Sequence, residues 1–224
     1  MFTGIIQAVG RITAIESSGA DMRLRIHTGK LDMYGVALGD SIAVSGVCLT
    51  VVDLPGDGFW ADVSRETLQR TVLGDTGKGA TVNLELALAA NARLGGHLVS
   101  GHVDGVGMVR ERRDDGRSVY FRIQAPDELA RYIAQKGSIC ADGVSLTVNS
   151  VDAALFDLNI VPHTLKATTL DAWGQGQRVN LEVDLIARYL ERLLLGDAAA
   201  LPARPAGKED ISAQFLVEHG YIKK

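Results

Sequence analysis

Apolar Met22, Leu24 and Ile26 alternate with polar Arg23 and Arg25. A period of two puts the apolar side chains on one face, so residues 21–27 read as a half-buried strand. Strands are likewise expected over residues 2–14, 59–64 and 81–88, with the longest β-rich run at 40–53. Pro55-Gly56-Asp57-Gly58 is a turn, residues 31–36 suggest a short helix, and Glu66-Thr67-Leu68 opens a helix or turn. Gly4 and Gly10 fall inside the first expected strand, where glycine marks a bulge, a corner or a close backbone approach. Short strands at this spacing suggest a small closed barrel of six, because closure removes exposed edges.

The pattern then repeats. Gly46-Val47-Cys48-Leu49-Thr50-Val51 returns 97 residues later as Gly143-Val144-Ser145-Leu146-Thr147-Val148, with one mismatch. Without any gap, Gly4, Val9 and Gly10 fall on Gly101, Val106 and Gly107, and Val82-Asn83-Leu84-Glu85 falls on Val179-Asn180-Leu181-Glu182. About 27 positions are identical, where ordinary composition gives roughly six by chance. This is a duplicated domain, and a period near 97 is too long for a solenoid. The organisation is a barrel over 1–97, a barrel over 98–184, a helix over 185–196, and a linker with a short tail helix over 197–224.

In the second copy, residues 91–97 form the linker and 101–105 are the counterpart of the N-terminal strand. Strands are expected at 118–124, 137–151, 156–161 and 178–184. Pro126 with Asp127 and Glu128 is a good helix start, with Leu129, Tyr132 and Ile133 on one face. After Asp184, Leu185, Ile186, Tyr189, Leu190, Leu193 and Leu194 recur at helical spacing, and Gly196 ends the run. A short helix this rich in leucine needs a partner: another subunit, or its own barrel. Ile211, Phe215 and Leu216 mark the tail helix, with Asp210 as a cap.

Composition narrows the classes. A chain of 224 residues with 46% hydrophobic content can bury a sizeable core. A net charge of −4 supplies no basic field for nucleic acid. No apolar run approaches the roughly 18 residues of a membrane span, and the start of the chain has no leader pattern. Cys48 and Cys140 occupy non-equivalent positions and form no metal-type cluster, so free thiols in a reducing cytoplasm are expected.

Candidate chemistry lies where the copies differ. His102 stands where the first copy has Ile5, either as a titratable group of one site or as a structural histidine. His97 and His102, five apart in glycine-rich sequence, do not make a zinc pattern. Cys48 and Ser145 lack the setting of a nucleophile elbow, so hydrogen bonding to a ligand fits them better than covalent catalysis. Thr50 and Thr147, two residues on, share their strand face and suit a polar heterocycle or polyol. Residues 62–67 and 159–164 each end at a helix start, where free backbone groups could read a flat ring or simply be capped. Lys136 replaces Gly39, as a charge for the second copy or as a solvated lysine.

These residues resemble a known family. Met1-Phe2-Thr3-Gly4-Ile5-Ile6, the paired Gly-Val-(Cys/Ser)-Leu-Thr-Val strands, Gly96-His97-Leu98-Val99-Ser100-Gly101-His102-Val103 and Pro162-His163-Thr164-Leu165 look like riboflavin synthase of the alpha-chain type. The resemblance covers about residues 1–195. It implies an all-β fold of tandem six-stranded Greek-key barrels with a C-terminal α-helix. Each barrel binds one 6,7-dimethyl-8-ribityllumazine, with two per active site, no metal and no cofactor. The implied assembly is a homotrimer held by the C-terminal helices, with the active site between barrels of neighbouring subunits. An association with lumazine synthase is a further partner that the family raises.

Carried over, one substrate site comprises Gly4, Ile5, Ile6, Cys48, Leu49, Thr50, Asp62, Val63, Ser64, Arg65, Glu66 and Thr67. The other comprises Gly101, His102, Val103, Lys136, Ser145, Leu146, Thr147, Asn159, Ile160, Val161, Pro162, His163 and Thr164. Phe2, Thr3, Ser41, Cys48, His102 and Asp184 match positions implicated in catalysis. His102 would relay a methyl proton, and Cys48 and Ser41 would position a water or hydroxyl nucleophile. The competing expectation is a non-catalytic lumazine- or flavin-binding antenna protein, which keeps one working pocket. Both Cys48/Thr50 and Ser145/Thr147 are intact here, which favours the enzyme.

Overall fold

The computed structural model describes residues 1–200. The expected tail helix lies outside the described residues. The first copy forms β1 (Ala8–Ser18), β2 (Asp21–His27), β3 (Ser41–Val44), β4 (Val47–Asp53), β5 (Gly58–Val63) and β6 (Thr81–Leu86). They close into a barrel in the order β1-β2-β5-β4-β3-β6, and β1 pairs with β6 to complete the ring. Helix α1 (Arg65–Arg70) leads into a 3-10 turn at Val72–Asp75. Inside, Ile12, Leu24, Ile26, Ile42, Phe59 and Leu84 are fully or almost fully buried.

The second copy repeats this plan with β7 (Gly105–Asp115), β8 (Ser118–Gln124), β9 (Ser138–Ala141), β10 (Val144–Thr147), β11 (Ser150–Asp152), β12 (Leu155–Ile160), helix α2 (Pro162–Ala167) and β13 (Arg178–Val183). Even the irregularities recur. The β1–β2 ladder slips between Ile12 and Ala14, and the β7–β8 ladder slips at the equivalent Val109 and Glu111. One strand differs. The counterpart of β4 breaks at Val148 and Asn149, so β10 pairs only with β9 and β11 only with β12. The expected six-stranded closed barrel is therefore a seven-stranded sheet here, in the order β10-β9-β13-β7-β8-β12-β11, whose two edges are joined through the chain at this bend, where Asn149 N–H donates to the carbonyl of Asp157 in β12 at 2.8 Å.

Three expectations are corrected. The first strand begins at Ala8, not Phe2. Residues 31–36 form turns with no helix, and the run over 40–53 folds back at Ser45-Gly46 into two strands. In each case a backbone feature outweighs side-chain periodicity. Ser45 and Gly46 both take positive φ, which reverses the chain inside a β-rich run. Residues 1–4 run between the barrels: Met1, Thr3 and Gly4 bond Leu88 and Glu85 of their own copy, and Phe2 and Gly4 bond Val99 and Ser145 of the other.

The two barrels pack about a local pseudo-two-fold axis. Phe2 and Val99, equivalent by the repeat, exchange both backbone N–H···O=C bonds at 2.7 and 3.1 Å. With Ala43 and Cys140, a second equivalent pair, they form a small apolar core of their own. Gly46 and Gly143 also face each other. A Cβ on either would sit 2.8 Å from the other's backbone nitrogen, so only glycine lets these turns touch. Asn83 donates to the Asp142 carbonyl and accepts from Thr169 N–H; Asn180 donates to the Ser45 carbonyl and accepts from Val72 N–H. Each asparagine thus satisfies backbone groups of the opposite copy, and removing either would leave buried groups unpaired, at about 1–3 kcal/mol each.

The symmetry fails at Ser45 and Asp142. Asp142 is buried, and its two carboxylate oxygens accept from Asn180 N–H at 2.8 Å and Trp173 Nε1–H at 3.0 Å. Burial pushes its carboxyl up to about 7, against the pull of these two donors. The folded-state value lies above the unfolded value near 3.9. The native protein therefore retains a proton that the unfolded chain releases, and this contribution to stability is lost as pH rises from about 4 through 7. Replacing Asp142 with serine, the residue of the first copy, removes that decline. Denaturant unfolding at several pH values between 4 and 8 should show a flatter profile for Asp142→Ser than for the parent. An unchanged slope would contradict the assignment.

Candidate functional site

Two constellations form on the outer faces of the barrels. In β4, Leu49 and Val51 point into the core, which turns Cys48 and Thr50 outward. Extending the Val51–Ala61 register by one pair places Thr50 opposite Asp62. Cys48 is half-buried, while Thr50, Asp62 and Ser64 are exposed, so this is a shallow surface and not a deep pocket. In β10, Leu146 points inward and Ser145 and Thr147 outward, with Asn159 exposed on β12. One cavity of about 510 Å³ lies between the barrels, beside Ser45, Asp142 and Trp173, and another of about 510 Å³ is lined by Arg117, Ser118, Val161 and Pro162, the last two among the expected site residues.

The N-terminal segments are exchanged between these faces. Gly4 carbonyl accepts from Ser145 N–H at 2.8 Å, and Gly101 carbonyl accepts from Cys48 N–H at 2.8 Å. Both glycines have positive φ, and a Cβ on Gly4 would lie 2.6 Å from Ser145 Cβ, one on Gly101 2.7 Å from Cys48 Cβ. A side chain is therefore excluded at both positions by space and by backbone strain. This regroups the residues that the sequence divided by copy. Gly4, Ile5 and Ile6 belong with Ser145 and Thr147. Gly101, His102 and Val103 belong with Cys48 and Thr50.

The regrouping also sorts the chemistry. One constellation joins the Cys48 thiol to the segment carrying His102. The other has Ile5 in place of that histidine, but gains His97. His97 Nδ1 lies 2.7 Å from Ser145 Oγ, and its Nε2 is buried without a hydrogen-bond partner. Burial pushes its pKa down, so the ring is neutral at pH 7, while the Asp184 carboxylate nearby pulls the other way. Asp184 also accepts from Ile186 N–H at 3.0 Å, at the start of α3 (Leu185–Leu194). His97 N–H donates to the carbonyl of Thr3, next to Gly4. Sequence reading set His97 aside because it has no metal-type neighbours in the chain; its partners come from positions 3, 145 and 184.

The remaining expected residues are placed as follows. Ser41 pairs with Thr50 in the β3–β4 ladder and is half-buried. Phe2 is fully buried between the barrels, where its ring supports Gly101 from behind. Thr3 is buried and its hydroxyl donates to Glu85 at 2.6 Å. Ser64 caps α1 by accepting from Thr67 N–H at 3.2 Å, so part of the 62–67 segment is capping. Val63 and Ile160 point into the cores. Arg65, Glu66, Val161, Pro162 and His163 are exposed, and Thr67 and Thr164 are half-buried at the first turns of α1 and α2. Lys136 is exposed in the turn before β9. It takes the positive φ that Gly39 takes in the first copy, a conformation costing a lysine about 1 kcal/mol or more. Cys48 and Cys140 are both free thiols. Burial pushes Cys140 well up, so it stays protonated in the core.

Comparison with known proteins matches both repeats. The family model described as the lumazine binding domain matches residues 3–87 and again 100–184. A curated riboflavin synthase from Photobacterium phosphoreum is 47% identical over 223 residues, covering 99% of this chain and 100% of the relative. The riboflavin synthase of Bacillus subtilis is 42% identical over 221 residues, with 99% and 100% coverage. Among solved structures, LumP complexed with riboflavin matches with a TM-score of 0.75 at 28% identity, covering 82% of this chain and 99% of that one. LumP complexed with 6,7-dimethyl-8-(1'-D-ribityl) lumazine matches at 0.74 and 26%, with the same coverage. Two adjoining lumazine-binding domains, and identity above 40% over almost the whole chain, place this protein in the riboflavin synthase family.

Proposed function

We infer that this chain catalyses the dismutation of two 6,7-dimethyl-8-ribityllumazine molecules. One donates a four-carbon unit to the other, giving riboflavin and 5-amino-6-(D-ribitylamino)uracil. The two products together contain the atoms of two substrates, so the reaction balances without an external oxidant, reductant or group donor. The observation that carries this reading is the pair of matched constellations in one chain, alike in backbone and unlike in titratable side chains. A reaction between two copies of one molecule in opposed roles requires that combination.

Holding both lumazines in register converts an encounter into an effectively intramolecular step, worth up to about 7–11 kcal/mol. The C7 methyl of the lumazine is acidic because its carbanion delocalises into the ring, so the residues need give only modest proton-transfer help. His102, beside Cys48, relays the methyl proton. Cys48 and Ser41 position the water or hydroxyl nucleophile that adds at C7. On the other face, His97 orients the Ser145 hydroxyl, and Asp184 favours the charged form of that histidine. Gly4 to Ile6, Val103 and the outward-facing residues of 62–67 and 159–164 border the two rings, Leu49, Leu146, Val63 and Ile160 contribute only backbone because their side chains lie in the cores, and Lys136 contributes its charge to the second. LumP-like binding without turnover is the competing reading; identity of 42–47% to synthases, against 26–28% to LumP, favours catalysis.

The outer faces are open to solvent, with Thr50, Asp62, Thr147 and Asn159 exposed. Helix α3 carries exposed Ile186, Tyr189, Leu190, Leu193 and Leu194. Apolar surface of this kind is stable when another subunit covers it, which supports a trimer whose active sites lie between barrels of adjacent subunits.

Three measurements test this. Added ribityllumazine should yield the yellow-green fluorescence of riboflavin, with half as many moles formed as consumed; binding without this product would identify an antenna-type protein. NMR titration of the His97 ring should place its pKa below the usual value near 6.5, and Asp184→Asn should lower it further. A rise on that substitution would remove Asp184 from the role. Mass measurement in solution should find three chains per particle, and a fully active monomer would exclude a site between subunits.

A further inference from the structure

Glu85 and Glu182 are buried, at 3% and 4% exposure, and occupy equivalent places at the ends of β6 and β13. One oxygen of Glu85 accepts from Thr3 N–H at 2.7 Å and the Thr3 hydroxyl at 2.6 Å, and the other accepts from Gly4 N–H at 2.9 Å. Glu182 does the same for Ser100 N–H and hydroxyl, both at 2.6 Å, and Gly101 N–H at 2.9 Å. All six donors are neutral. Burial pushes both carboxyls up, and these donors pull them down. A buried carboxyl is costly to keep, so its geometry matters. Each one grips the N–H of a glycine whose carbonyl, on the far side of the same residue, holds the backbone of a candidate pocket in the opposite barrel.

We propose that Glu85 and Glu182 are positioning residues that act crosswise. Glu85, in the first barrel, sets the pocket of the second through Gly4 and Ser145. Glu182, in the second barrel, sets the pocket of the first through Gly101 and Cys48. The proposal rests on the reading that both outer faces bind ribityllumazine. An amide cannot replace either carboxylate. Glutamine offers one acceptor oxygen and would turn its NH₂ toward either the glycine N–H or the threonine or serine donors. The glycine would shift, and with it the strand carrying Ser145 or Cys48. The effect appears in the barrel that does not contain the substituted residue, which a general loss of stability would not produce.

The test is a fluorescence titration of the full-length protein with ribityllumazine, on Glu85→Gln and Glu182→Gln alone and combined with Thr50→Val or Thr147→Val. Glu85→Gln should weaken one class of site about tenfold or more, as expected when a hydrogen bond to a charged acceptor is lost. It should add nothing to Thr147→Val, whose second-barrel pocket is already damaged, and should weaken the binding left in Thr50→Val by the same factor. Glu182→Gln should show the reverse pattern. Equal weakening of both site classes, an effect on the same-barrel pocket, or no effect would overturn the proposal. Thr3→Val and Ser100→Ala each remove one hydroxyl donor to the same carboxylates, and should give the same pattern more weakly if the glutamine variants do not fold. Absence of binding by the parent protein would remove the functional reading, and this inference with it. Two site classes without crosswise coupling would remove this inference alone.

Discussion

The exchange of backbone pairs between the barrels is the constraint on which the rest depends. Phe2 and Val99 bond to one another across the pseudo-two-fold axis, and that contact fixes where residues 3–6 and 100–103 run. From there Gly4 reaches Ser145 and Gly101 reaches Cys48. Each outer face is thus built from strands of one barrel and a segment of the other. Neither copy could complete its pocket alone, although each has its own core.

A shared backbone with local side-chain differences lets one fold support two roles. The equivalent glycines and asparagines preserve the symmetric frame, because each satisfies a backbone group in the opposite copy, and the glutamates hold the crossing glycines from within their own copy. The differences that alter the outer faces fall on side chains that the frame does not use. Cys48 against Ser145, and Ile5 against His102, change the chemistry of the faces without moving a strand. Ser45 against Asp142 is a difference inside the frame itself. There the Trp173 indole supplies the extra donor that the larger carboxylate requires.

The shallow outer faces and the apolar helix α3 have a common physical meaning. A small barrel whose interior is filled by its own side chains has no room for a ligand. On the proposed reading the ligand lies outside, where a flat ring needs a second surface to exclude water. A helix with a leucine-rich exposed stripe can bring that surface from another copy of the chain.

Much of the fold was legible in the sequence. Alternation over 21–27, the repeat at a fixed offset and the spacing of turns determined two similar barrels, since strand faces and ring closure depend on local pattern. The paired Cys48 and Ser145 strands were found the same way, and so was the helix from Leu185. What sequence could not decide was which segments meet. Residues 1–6 read as part of the first barrel because apolar periodicity reports burial without naming the partner. The structure anchors them to β6 through Glu85 and extends them onto the second barrel, and so moves Gly4 and His102 to the opposite pockets. His97 lacked any local signal, since its partners are Thr3, Ser145 and Asp184. Glu85 and Glu182 had one, an identical acidic residue ending an apolar strand in both copies, but its purpose lies in the N–H groups of a segment some eighty residues away. Local pattern determines elements and their faces; hydrogen bonds between distant chain segments determine the site, and only the folded chain brings those segments together.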